Sequence, residues 1–166
     1  MIVSDIDNID AFIFDFDGVL TNNIVYVSEE GKESVQCSRS DGLAFDVLHK
    51  LNKPMYIIST EINSVVKSRA DKLRVPVFQG AKSKVNTLNS IVKNYGYNFD
   101  KIAYFGNDIN DFNVMRNCGY RICPADSHIK IKEIANVILK TKGGYGVVRE
   151  FLEDNLELDF LKILYF

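Results

Sequence analysis

Apolar residues fall along this chain in two alternating rhythms. Short runs, "AFIFDF" from Ala11, "PMYIIS" from Pro54, "VPVFQ" from Val75, "KIAYFG" from Lys101 and "YRIC" from Tyr120, read as buried strands, and "NVILK" from Asn136 reads as a sixth. Between them the apolar positions recur every three to four residues. Ile62, Val65, Val66, Ala70 and Leu73 would line one helical face, and Val85, Leu88, Ile91, Val92 and Tyr95 another. Strand-helix alternation of this kind predicts an α/β domain with a doubly wound, mainly parallel sheet. Ligands of such sheets bind beyond the carboxyl ends of the strands.

One segment departs from that rhythm. "NIVYVSEEGKESVQCS", at Asn23–Ser38, has two β-rich arms around Glu30-Gly31 where a helix should follow the first strand. The reading is a β-hairpin flap over about residues 24–38, inserted into a single domain spanning residues 1–166. No linker, repeat or low-complexity tract divides the chain. Its last stretch, "VVREFLEDNLELDFLKILYF", is apolar enough to pack, on this chain or on another subunit.

The ends of the predicted strands carry the candidate chemistry. The first strand runs into Asp15 and Asp17, and unpaired carboxylates are costly to bury, so this pair needs a partner such as a cation. The second runs into Ser59 and Thr60. Lys84 opens the helix after "FQGAKS", and "KIAYFGNDIND" ends in Asn107, Asp108 and Asp111. Oxygen donors from two strand ends suit Mg²⁺, a hard cation that usually also meets substrate phosphate. A hydroxyl with the amides of a following helix N-terminus can hold phosphate oxygens. A lysine can balance phosphate charge, an aspartate can attack phosphorus, and a second acid can protonate the departing oxygen.

Composition narrows the picture without redirecting it. The 166 residues are enough for one buried core, with 46% hydrophobic and 25% charged positions. A net charge of -2 and scattered basic residues give no reason to expect nucleic acid or an anionic membrane as partner. Cys37, Cys118 and Cys123 are an odd count without metal-type spacing and fit reduced thiols. "MIVSDIDNID" lacks the basic start and long apolar core of a signal peptide, and no run approaches the ~20 apolar residues of a membrane span. A cytoplasmic location is the expectation.

Taken together, "DFDGVLT", a hydroxyl after the second strand, a lysine and "GNDIND" resemble the haloacid dehalogenase superfamily of phosphohydrolases over nearly the whole chain. With a hairpin after the first motif and no inserted cap domain, the chain is similar to the capless phosphatases of 3-deoxy-octulosonate 8-phosphate and acylneuraminate (nonulosonate) 9-phosphate. The same unit forms the C-terminal domain of some acylneuraminate cytidylyltransferases. "KGGYGVVRE" resembles that subgroup's own signature.

The resemblance implies a Mg²⁺-dependent phosphomonoesterase. Asp15 would be nucleophile and metal ligand, and Asp17 general acid/base and, through its carbonyl, a second ligand. Ser59 would hold the phosphoryl group, and Lys84 would balance charge. Thr60, Glu61, Lys72 and Arg149 would bind substrate; Glu61 and Lys72 match the nonulosonate enzymes, whereas octulosonate enzymes usually carry arginine at the position of Glu61. The subgroup's habit implies a homotetramer in which the flap and C-terminal segment close a neighbour's site. Asn107 stands where the family usually has a metal-binding aspartate, and the adjacent Asp108 could compensate. That departure favours an alternative, a weakly active or inactive oligomerisation module.

Other readings fare less well. "DFDG" is not a calcium loop, because its glycine comes too early and the terminal glutamate is missing. A signalling receiver domain would need an acid after the third strand, which here ends in "FQG". His49 and His128 have no partner at metal-ligand spacing. Ser59 also suits a plain helix N-cap. Arg39 and Asp41 read as fixing the turn after the flap rather than facing substrate.

Overall fold

A computed structural model of the protein describes residues 5–166. All six predicted strands form: β1 (Ala11–Phe14), β4 (Met55–Ile58), β5 (Val77–Phe78), β6 (Ile102–Phe105), β7 (Tyr120–Cys123) and β8 (Val137–Ile138). They make one parallel sheet in the order β5-β4-β1-β6-β7-β8. This is the doubly wound arrangement, and its winding reverses at β1, between β4 and β6. The crevice beyond the carboxyl ends of these three strands is therefore the place for a ligand.

Strand periodicity builds the two layers of core. Phe12 and Phe14 point to one face with Phe105 and Ile57, where helix α1 (Arg39–Lys50), helix α2 (Ser64–Leu73) and the short helix α6 (Val147–Glu150) cover them. Ala11, Ile13, Tyr104 and Ile58 point to the other, beneath helix α3 (Lys84–Tyr95) and the short helices α4 (Phe112–Met115) and α5 (Ile129–Ile134). With all four residues of β1 buried, it reads as an unbroken apolar run.

The helical faces form with trimmed edges. In α2 Val66, Ala70 and Leu73 are buried, but Ile62 precedes the helix and is 85% exposed. In α3 Leu88, Ile91 and Val92 are buried, whereas Tyr95 is exposed in the last turn and stacks on Tyr97 instead. Asn63 caps α2 by accepting from the Val65 amide, so the helix does not start at Ser59. The N-cap reading of Ser59 is thereby corrected.

The flap is a hairpin of two short strands, β2 (Tyr26–Val27) and β3 (Glu33–Ser34), closed by a turn in which Gly31 takes a positive φ of 74°. Its root is pinned by a bridge between Thr21 and Cys37, and Glu33 meets Asn63 at the start of α2. The C-terminal stretch packs largely on its own chain. Val147, Val148, Phe151, Leu152 and Phe160 are buried near α1, leaving Leu161, Tyr165 and Phe166 outside. Among the described residues no helix is long and apolar enough to cross a membrane.

Candidate active site

Each strand that meets the crevice delivers a polar residue one or two positions past its last apolar side chain. Asp15 follows β1, Ser59 follows β4 and Asn107 lies two past the end of β6. Together with Asp17, Thr60, Glu61, Asp108 and Asn23 they line a cleft of about 270 Å³. A second cavity of about 360 Å³ adjoins it under the flap. The two share Asp17, Asn23 and Glu61, and Val25, Val27, Val35, Glu33 and Asn63 wall the outer one.

Asp15 is buried and held from two sides. Its Oδ1 accepts from the Phe16 amide at 2.8 Å and pairs with Lys84 Nζ at 2.7 Å. Lys84, also buried at the first position of α3, donates at 2.7 Å to Asp111 Oδ1 as well. Asp111 completes its own shell with the Tyr104 hydroxyl at 3.0 Å and the Asn107 amide at 3.0 Å. One ammonium thus sits between two carboxylates. Burial works against that charge, but Asp15 and Asp111 outweigh it and push the lysine's pKa up. Burial and the Asp111 charge push the Asp15 carboxyl well above the usual range, and Lys84 and the Phe16 amide offset this only in part. A further cation at Asp15 would complete the compensation.

The residues to hold one converge from β1 and β6. The side-chain amide of Asn107 lies 3.3 Å from Asp15 Oδ2 and 2.9 Å from the Asp17 carbonyl oxygen. With its oxygen turned inward, three acceptors face one another without a donor, an arrangement that a hard divalent cation satisfies. With its NH₂ inward, Asn107 donates to both oxygens and the cluster closes on itself. The set of one carboxylate, one main-chain carbonyl and one amide oxygen fits Mg²⁺ but carries little negative charge. Among the described residues no group of three or more His, Cys, Asp or Glu side chains gathers as a metal site. Asp108 faces the same cleft, and its Oδ1 accepts from the Ile109 amide at 2.7 Å.

Asp17 stands half-buried at the mouth. Burial first, then the charge of Glu61, raises its carboxyl and so favours its protonated form. Ser59 is buried with its Oγ accepting from the Glu61 amide at 3.1 Å, while Thr60 and Glu61 are exposed on the rim.

Two expected substrate residues lie elsewhere in the single chain. Lys72 is in the last turn of α2, where helical phase turns it into a separate cleft of about 340 Å³ with Arg39 and Arg69, away from Glu61. Arg149 is drawn off by Glu153, with bonds of 2.8 and 3.0 Å, and lies over the Phe160 ring. Asp41 does more than fix its own turn: its Oδ1 accepts from the Val148 and Arg149 amides and so caps α6. The sequence presents Asp111 only as one of the strand-end acids that suit a cation, whereas the structure commits it to Lys84, Tyr104 and the Asn107 amide; Tyr104 and Thr21 have no role in the sequence reading. The four-residue spacing from Asn107 to Asp111, which wraps one turn, was the available signal for Asp111.

Comparison with known proteins places the chain in a family. A model of haloacid dehalogenase-like hydrolases matches residues 48–151. The chain is 28% identical to the 3-deoxy-D-manno-octulosonate 8-phosphate phosphatase of Yersinia pestis over 144 residues, 86% of this chain and 77% of that protein. The Escherichia coli K12 enzyme of the same name is 26% identical over 90% of this chain and 80% of its own length. Among solved structures, a haloacid dehalogenase family hydrolase from Streptomyces avermitilis superimposes with a TM-score of 0.88 at 34% identity, covering 90% of this chain and 86% of that one. The Moraxella catarrhalis 3-deoxy-D-manno-octulosonate 8-phosphate phosphatase, solved with magnesium, phosphate and the sugar acid, does so at 0.85 and 27%, covering 95% and 88%. The chain belongs to the haloacid dehalogenase-like hydrolase family, as a phosphatase-type member with a hairpin in place of a cap domain.

Proposed function

We propose that the protein is a Mg²⁺-dependent phosphomonoesterase acting on the terminal phosphate of a 2-keto-3-deoxy sugar acid. The observation that carries this reading is the contact of Asp15 with Lys84, beside Asn107 and the Asp17 carbonyl, at the floor of a cleft that opens under the flap. Asp15 attacks phosphorus, the bond to the sugar oxygen breaks, and Asp17 gives that oxygen its proton. Water then attacks the aspartyl-phosphate while Asp17 takes a proton back, releasing phosphate. Ser59 holds the phosphoryl oxygens, and Lys84 keeps its charge beside Asp15 throughout. Asp15, Asn107 and the Asp17 carbonyl would hold the cation, which would supply positive charge at the phosphate.

The inner cleft has room for a phosphate and the outer cavity for the sugar chain. Glu61, which matches the nonulosonate enzymes, lies where the two meet. On that match we put a nine-carbon nonulosonate 9-phosphate first and an eight-carbon octulosonate 8-phosphate, the substrate in the relatives' names, second. Among the described residues the outer cavity is lined by Glu33 and Glu61 and by no cation to meet a sugar carboxylate, while Arg39, Arg69 and Lys72 line a cleft of their own. A homotetramer, with exposed Ile24, Tyr26 and Val27 of the flap buried between copies, would let one subunit's cations serve another's site. We place the enzyme in the cytoplasm.

Phosphate release from eight- and nine-carbon sugar-acid phosphates, with Mg²⁺ and after chelation, is the test. Turnover that needs Mg²⁺ and vanishes in Asp15→Asn, at unchanged circular dichroism, supports the phosphatase, and the better substrate names the chain length. Rates below about one per minute on all of them, against typical turnovers of ~1–10³ per second, would instead indicate the oligomerisation module that Asn107 favours.

A further inference from the structure

Thr21 is fully buried at the root of the flap, six residues after Asp15, and its hydroxyl has an unusual set of neighbours. The Oγ1 accepts from the Gly18 amide at 3.2 Å and from the Asn23 amide at 3.1 Å. Both lone pairs are thereby engaged by donors fixed in the backbone. The single hydroxyl proton is left to point at Asp17 Oδ1, 3.4 Å away. The reverse bond, from a protonated Asp17 to Thr21, is opposed because the threonine oxygen has no acceptor capacity left.

We propose that Thr21 is the positioning residue of the Asp17 proton donor, fixing which carboxyl oxygen carries the proton. An Oδ1 that accepts from Thr21 takes the carbonyl role, so the acidic proton stays on Oδ2, the oxygen left without a protein donor among the described residues. Thr21 does not touch substrate; it acts through Asp17. The backbone around it is braced. The Thr21 amide bonds the Phe16 carbonyl at 3.2 Å, Thr21 bridges to Cys37, and the Gly144 amide donates to the Val19 carbonyl at 2.9 Å. The proton donor's orientation is therefore set at the point where the nucleophile loop, the flap and the Gly143-Gly144 turn meet.

The inference rests on the phosphatase reading, and two leaving groups separate it from that reading. An alkyl oxygen of a sugar phosphate needs a proton as it departs, whereas nitrophenolate does not. The step that expels the leaving group is read by kcat/KM, which excludes the later hydrolysis of the aspartyl-phosphate common to both substrates. Thr21→Val, nearly isosteric but without the hydroxyl, is expected to lower kcat/KM on the best sugar-acid phosphate by roughly 10- to 100-fold, within the usual scale of general-acid effects. On p-nitrophenyl phosphate the fall should stay within about threefold, the scale of an intact fold. Thr21→Ser, which keeps the hydroxyl, should return the sugar-phosphate value to within that same margin of wild type. Equal losses on both substrates, no loss on either, or failure of serine to rescue would overturn the positioning role while leaving the phosphatase standing. A wild-type chain inactive on every phosphate would overturn both.

Discussion

Lys84 and Asp111 form a buried ion pair at 2.7 Å, and this contact fixes the ammonium against the carboxylate of Asp15. The pair joins α3 to the turn after β6 beneath the cleft. Leaving a buried charge with one partner fewer is strongly destabilising. Asp111→Asn is therefore expected to cost about 3 kcal/mol of folding stability by urea denaturation. It should also lower kcat by roughly 100-fold, the scale seen when a charge at a reaction centre is misplaced. A variant with unchanged denaturation midpoint and kcat would show that Asp15 alone positions the lysine.

Asn107 sets an amide against Asp15 Oδ2 and the Asp17 carbonyl, the place we propose for the cation, where a carboxylate would add a full negative charge. Restoring that charge in Asn107→Asp should strengthen binding of a divalent cation. We expect the Mg²⁺ concentration for half-maximal rate to fall roughly tenfold, as one added oxyanion ligand strengthens attraction to a hard cation. Isothermal titration with Mg²⁺ gives an activity-independent check. Equal affinities would place Asn107 outside the ligand set.

Asp41 is a buried carboxyl with one satisfied oxygen and one, Oδ2, without a hydrogen-bond partner among the described residues. Burial pushes its pKa from 3.8 up to about 6, against the opposing pull of the Arg149 and Val148 amides and Arg69. A carboxyl whose pKa is higher when folded holds its proton more tightly in the native state. Stability from this group is thus greatest in acid and is lost as pH rises from about 4 to about 6, by about 3 kcal/mol. Asp41→Asn cannot ionise. Urea midpoints measured from pH 4 to pH 7.5 should show the variant gaining on wild type across that window, and a constant difference would refute the titration.

Gly143 and Gly144 press against the backbone of the nucleophile loop. A Cβ at Gly144, where φ is +76°, would lie 2.3 Å from the Asn22 nitrogen and 2.4 Å from the Thr21 carbonyl carbon. Gly96 has a similar φ of +71° but nothing within 4 Å, so it isolates the conformational cost of an alanine. Gly96→Ala should cost about 1 kcal/mol and Gly144→Ala at least about 2 kcal/mol more. Thermal unfolding of the two variants side by side checks this, and equal losses would remove the close-approach role.

The strands, most helical faces, the flap, and the placement of Asp15, Ser59, Lys84 and Asn107 at the strand or helix ends that meet the cleft could all be read along the chain. Each depends on local periodicity or on residues adjoining a strand end, and both are properties of neighbouring positions. The fold decided what periodicity cannot carry. It joined Asp111 to Lys84 across 27 residues and Asp41 to Val148 across 107. It turned Lys72 and Arg149 away from their own cleft, because helix phase and a nearer glutamate outweighed their motif positions. It also seated two glycines against the loop that holds Asp17. Contacts between distant segments depend on how layers pack, and a linear pattern of polar and apolar residues does not specify that distance by distance.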